Sequence, residues 1–223
     1  MMDRKRCRCK LHNNDKGMSL VELIVVIAIM AVMIGVVGFS VNLLIGAEAR
    51  QAANKMDAEL NDIKTGAMSR ASEYMIVRYI EVTSGNESDY AKLGVDRSGY
   101  YAEKHVATID NKDTISGSTI KLDYGGQEYT RLGSKKVRIM LGDKDSGTQL
   151  ADDGSLAFKI EYERSTGMLK DVEIGTVSSS GENVVDVAFT SGSSEALTDM
   201  YFISGLRTYH IKFDAGTGKH SIE

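Results

Sequence analysis

The sequence predicts an α+β fold, one long N-terminal helix packed on a mainly antiparallel β-sheet domain. Three observations carry this. From residue 18 to residue 45, 28 residues hold a single charge, Glu22. Beyond Gly46 the apolar residues recur at three- and four-residue spacing, which marks one face of a helix. After residue 70 the pattern changes to short β-branched and aromatic stretches between turns rich in Gly, Ser, Asn and Asp. A helix laid on such a sheet gives each element a partner for its apolar face.

Residues 1–17 are polar and basic, with no apolar periodicity, and read as a cytoplasmic leader rather than as part of the fold. They carry six basic and two acidic groups, a net +4. The whole chain is at −4, so the remainder carries −8. This asymmetry places the N-terminus in the cytoplasm and the C-terminus outside, as in a single-pass membrane protein. The acidic body argues against nucleic-acid binding through a large basic face. The only cysteines, Cys7 and Cys9, lie in the leader, so the exported part has no disulfide. Two thiols make only half a tetrahedral metal site. Proline is absent, where average usage of about 5 % predicts roughly eleven.

Residues 18–46 are long and apolar enough for a transmembrane helix, since roughly 20 residues span a bilayer. An ordinary secretory signal has a shorter apolar core and small residues at a cleavage site just after it. Here the core is about twice that length and no such site follows.

The stretch Gly17-Met18-Ser19-Leu20-Val21-Glu22, with a basic leader before it and the apolar helix after it, resembles the cleavage site of type IV prepilins and pseudopilins. The resemblance is specific over residues 16–46 and looser to about residue 70. It implies that a membrane prepilin peptidase cuts after Gly17 and N-methylates Met18. It also implies a pilin-like fold, and assembly with identical or related subunits into a filament. Many members carry a helix-breaking proline about 22 residues into the mature chain; Phe39 stands there in this chain.

Glu22 is the residue out of place in a membrane span, because an intramembrane carboxylate is costly and generally has a partner or a task. Near the headgroups it would snorkel at little cost. In a pilin-like filament it would instead meet the positive α-amine that cleavage creates on a neighbouring Met18. A dry ion pair of this kind contributes register more reliably than stability.

Residues 47–70 continue the helix. Ala49, Ala52, Ala53, Met56, Leu60, Ile63 and Ala67 form one apolar face. Glu48, Lys55, Glu59, Asp62 and Lys64 lie mostly off it, and Lys55 and Glu59 have the spacing of an i,i+4 pair. The predicted helix, from Met18 to about Ser69, spans roughly 80 Å at 1.5 Å per residue. Its first half, apolar all round, belongs in lipid or in a filament core; its second half packs on the globular domain.

Residues 71–223 make up the extracellular β-rich domain. The sequence favours strands at 100–106 and 184–189 and shows short apolar patches at 119–124 and 136–141, with 74–82 as either a first strand or a helix end, and a surface loop over 83–99. Two hairpins echo each other. Phe158–Tyr162 turns into Met168–Ile174, and Tyr209–Phe213 turns into Lys219–Ile222, each through a Thr-Gly pair.

Candidate sites are few. Asp143, Asp145, Asp152 and Asp153 offer oxygen ligands for calcium, but the terminal glutamate of a calcium loop is missing and a solvated acidic turn is the simpler reading. His105, His210 and His220 fall on separate segments without metal-site spacing and read as isolated surface or sheet histidines; His12 lies in the leader. Asn86-Glu87-Ser88 fits a glycosylation acceptor by chance. No nucleophile elbow or phosphate loop occurs, so no enzyme activity and no cofactor are expected. The first reading is therefore a filament subunit, lodged in membrane lipid before assembly and on the cell surface afterwards. The alternative is an uncleaved signal-anchored surface protein whose β domain binds a ligand or acts as an adhesin.

Overall fold

The computed structural model describes residues 19–69, 73–106, 115–116, 119–122, 128–179, 185–189, 199–214 and 216–223, with no side-chain description for 36–45, 73, 106, 115–116, 119–122, 171, 178–179 and 185–189. The chain divides into two compact units, Met1–Val41 and Asn42–Glu223.

The first unit, as far as it is described, is helical from Leu20 onward. The helix, α1, runs over Leu20–Ser69, so the boundary between the units falls within it.

In the second unit α1 buries the stripe the sequence marks. Ala49, Ala52, Ala53, Met56, Leu60 and Ala67 are 0 % exposed and Ile63 is 1 % exposed. Burying each Met, Leu or Ile side chain contributes about 1.5–3 kcal/mol. The alanines let the helix lie close to its neighbours.

Thirteen strands follow among the described residues. They are β1 (Glu73–Ile80), β2 (Gly99–Val106), β3 (Ile115–Ser116), β4 (Thr119–Leu122), β5 (Glu128–Gly133), β6 (Arg138–Leu141) and β7 (Thr148–Gln149). After these come β8 (Leu156–Tyr162), β9 (Leu169–Ser179), β10 (Val185–Phe189), β11 (Asp199–Ser204), β12 (Arg207–Asp214) and β13 (Lys219–Ile222). They form an eight-stranded sheet, β3-β4-β10-β9-β8-β1-β2-β5, and a five-stranded sheet, β13-β12-β11-β6-β7. Each pairing among the described strands is antiparallel. The architecture is thus α+β.

One core joins the helix to both sheets. Met75, Val77, Tyr79, Phe158 and Ile160 come from the larger sheet, and Ile139, Leu141, Met200, Phe202, Ile211 and Phe213 from the smaller. The alternation of β1 sends Met75, Val77 and Tyr79 to this core. It sends Ile76, Arg78 and Ile80 to the opposite face, where they are buried too. There Arg78 pairs with Glu103 of β2. His105 stacks on Tyr74, ring centroids 4.9 Å apart.

Two local expectations are corrected. Within the stretch 83–99, read as a loop, Glu87–Lys92 forms a short helix, α2. Tyr90 of α2, with Leu93 and Val95 just after it, joins a second apolar cluster with Ile80 and Tyr101. A six-residue helix with no buried residue of its own leaves no periodic signal. The i,i+4 pair of Lys55 and Glu59 gives way to tertiary partners. Lys55 Nζ donates to the Arg131 carbonyl at 2.7 Å, and Glu59 accepts from the Thr130 hydroxyl at 2.8 Å.

Lys104 fastens the edge of the larger sheet to α1, with its Nζ 3.4 Å from Glu59, 2.5 Å from Asp62 and 2.7 Å from Glu128. Burial alone would lower its pKa, but the hydrogen bonds to Asp62 and Glu128 outweigh burial and hold it above the usual lysine value.

Candidate functional site

The candidate site is the start of α1. Ser19 sits just before the first helical residue, and its hydroxyl accepts the Glu22 backbone N–H at 3.4 Å. The Ser19 carbonyl accepts the Leu23 N–H at 3.2 Å. A serine here satisfies one of the donors that a helix N-terminus leaves unpaired. Glu22 lies in the first turn, where the helix dipole favours negative charge. The pair Ser19 and Glu22 has the spacing S-x-x-E of a capping box, a helix-start signal rather than a chemical motif.

The side chains of residues 19–35 are all exposed. Leu20 is 74 % exposed, Ile27 58 % and Ile34 73 %. The same helix is fully buried along its stripe at Ala52 and Leu60. Among the described residues, then, none covers the apolar side chains at the start of α1. An exposed apolar run of this length requires a covering phase.

Gly17 and Met18, the residues of the expected cut, lie outside the described residues. So do Met18 and the side chains of 36–45 within the expected span 18–46. Among the described residues no helix is long and apolar enough to cross a membrane.

The four calcium candidates lie in two turns of the β domain. Asp143 Oδ1 accepts the backbone N–H groups of Asp145 at 2.9 Å and Ser146 at 3.0 Å, and also the Ser146 hydroxyl. These bonds hold the Asp143 carboxyl below the usual carboxylate range. Asp153 Oδ1 accepts the Ser155 N–H at 2.8 Å, and its carboxyl is likewise lowered. All four aspartates are exposed. Among the described residues no group of three or more His, Cys, Asp or Glu is arranged to hold a metal ion.

The described histidines sit on strands, as β2, β12 and β13 residues, and two of them have buried side chains. His105 and His220 side chains are 2 % exposed. His220 Nε2 lies 3.3 Å from the Asp57 carbonyl of α1. His210 stacks on Tyr201 and lies 2.6 Å from Asp199. Asn86 builds the turn before α2, accepting the Thr83 N–H and donating to the Glu81 carbonyl.

Residues 12–38 match the family described as the prokaryotic N-terminal methylation motif. The N-terminal segment is of the type IV prepilin or pseudopilin type. The match spans the leader's end, Gly17, Met18, Glu22 and the exposed start of α1. Such a motif marks pilin-type structural proteins rather than enzymes, and implies processing by prepilin peptidase and assembly with other pilin subunits. No curated protein and no solved structure matches the chain.

Proposed function

We propose that the chain is a structural subunit, pilin or pseudopilin and major or minor, of a type IV pilus-like filament. Prepilin peptidase would remove residues 1–17 and methylate Met18. Residues 18–46 would lie in membrane lipid before assembly and in the filament core afterwards. Residues 47–70 would carry the β-rich domain, 71–223, outside the cell.

The observation that carries this reading is the exposed apolar start of α1, which holds one carboxylate, Glu22, and lies inside the methylation motif. Neighbouring apolar helices can replace lipid tails around the same surface. The transfer leaves apolar burial nearly unchanged while adding helix–helix packing. After cleavage, each subunit brings one new positive amine and one Glu22. The count of charges therefore balances in the assembled state.

Intact-mass measurement of the mature protein tests the proposal. Loss of residues 1–17 together with a methyl group on Met18 is the expected result. An intact N-terminus overturns it and leaves the signal-anchored surface protein in its place.

A further inference from the structure

Within the second unit, three separated segments meet where the apolar run ends. The run stops at Ile45, and Gly46 is buried against Arg207: a side-chain carbon at Gly46 would lie 2.6 Å from Arg207 Cγ. Arg207 closes the β11–β12 hairpin, pairing with Ser204 across a two-residue turn of Gly205 and Leu206. Gly205 has φ +58°, and the turn holds Leu206 outward, 93 % exposed. Two residues further along α1, at Glu48, the carboxylate accepts the Ser134 hydroxyl at 3.0 Å. This anchors the turn that carries Lys135 and Lys136, both exposed. Ser204 in turn donates to the Lys136 carbonyl at 3.3 Å, so the two turns are joined. Arg50, exposed, follows one helical turn after Gly46.

The meeting segments carry four exposed cations, Arg50, Lys135, Lys136 and Arg207, and one protruding leucine, a basic collar on a body whose net charge is strongly negative. Glu48 is the acid inside it, and its carboxylate is engaged by Ser134. None of the four cations forms an ion pair with a described carboxylate. Single exposed leucines are ordinary. A leucine at 93 % exposure, on segments that carry four unpaired cations to the end of an apolar run, has the composition of an interfacial anchor.

We propose that this collar is a docking surface for the anionic headgroups of the membrane, with Leu206 entering the headgroup–acyl boundary. The proposal rests on the reading that residues 18–46 are held in lipid before assembly. The end of that run then lies at the bilayer surface, and so does whatever touches Gly46. Three of the cations come from positions far from the apolar segment in sequence. They therefore do not oppose the positive-inside rule, which counts residues within about 15–20 of the span. Each cation near an anionic surface strengthens partitioning about five-fold. The collar would hold the β domain against the membrane until a filament site withdraws it.

The chain has no tryptophan, so Leu206→Trp creates a single reporter. The full chain carrying it is reconstituted in vesicles of phosphatidylcholine alone, or of phosphatidylcholine with brominated phosphatidylglycerol. The expected result is a blue-shifted indole emission, quenched by the brominated anionic lipid and relieved by salt. Adding Lys136→Glu should lower the docked-to-undocked ratio by about five-fold or more. A water-like, unquenched emission overturns the proposal. So does a blue shift that depends on protein-to-lipid ratio rather than on anionic lipid, which would mark a second copy of the chain as the partner. An Ile27→Trp variant keeps the two readings apart. If it is quenched while Leu206→Trp is not, the collar fails and the membrane-held helix stands; if neither is quenched, both fail.

Discussion

Gly218 packs directly against Gly167. The turns of the two echoing hairpins, β8–β9 and β12–β13, abut at these residues, both with left-handed backbone at φ +60° and +66°. A side-chain carbon at Gly218 would collide with the Gly167 carbonyl and lie 2.9 Å from Met168 Cα. Lys64 of α1 donates to the Gly218 carbonyl at 3.0 Å, so helix and both hairpins converge at one point. Gly218→Ala should therefore destabilise the β domain by more than about 2 kcal/mol, the left-handed penalty alone being about 1–2 kcal/mol. Gly216→Ala, two residues away and at ordinary contact distance from Asp214, should cost less than about 0.5 kcal/mol. Urea unfolding of both variants checks this; equal effects would contradict the packing.

Arg78 and Glu103 form a buried pair, their side chains 4 % and 0 % exposed. Removing one member of such a pair leaves the other charged in a dry place. Arg78→Ala should cost about 3–5 kcal/mol in urea unfolding, and the double variant with Glu103→Gln should recover part of that. Additive losses would mean the two side chains do not act together.

Alkaline pH should unfold the β domain more steeply than its exposed lysines alone would. Burial, with Asp152 and neighbouring groups, pushes the Tyr100 phenol up to about 12, and burial followed by Asp57 raises Tyr162. Lys104 is raised as well. A group that holds its proton more tightly folded than unfolded contributes its full stability below the unfolded pKa, about 10 for tyrosine. That contribution falls away as pH rises through the folded value. For Tyr100 it amounts to about 2–3 kcal/mol, lost between about pH 10 and 12. Stability measured across that range should fall less steeply in Tyr100→Phe. An unchanged slope would remove Tyr100 from the account.

Under the proposed function, Glu22→Ala should leave membrane insertion intact, since it makes the helix more apolar. Incorporation into filaments should fall by roughly a hundred-fold, because an unpaired amine in a dry core costs about 3 kcal/mol or more. Surface-fibre incorporation of the variant, scored against its membrane level, gives the comparison. Normal incorporation would show that Glu22 does not meet the Met18 amine.

The sequence displayed the burial stripe of α1 residue for residue, because a helix on a flat partner selects one face and exposes the rest. The two hairpins were legible for a similar reason: β8 alternates, and each turn needs its glycine. β11 was not legible, since Asp199–Ser204 places Met200 and Phe202 inward but also carries the buried Ile203 on its other face. β5 was hidden by its charges, having only Leu132 in the core. The burial of Arg78, Glu103 and His105 could not be read either, since charged residues in an alternating strand normally mark the wet face. Here both faces of β1 are covered. For the candidate site, motif and apolar length were plain in the residue order. Ser19's role depends on which residue begins the helix, and that is fixed only in three dimensions.

The contrast along α1 between an exposed start and a buried stripe bears on how this chain responds to dilution. The residues beyond Gly46 obtain their cover from their own chain, so their folding equilibrium is indifferent to concentration. The apolar residues of the helix's described start are uncovered, and under the proposed function they obtain cover from other molecules. Their state is therefore a matter of phase and concentration, as for a surfactant tail, and one polypeptide answers to two different thermodynamic variables.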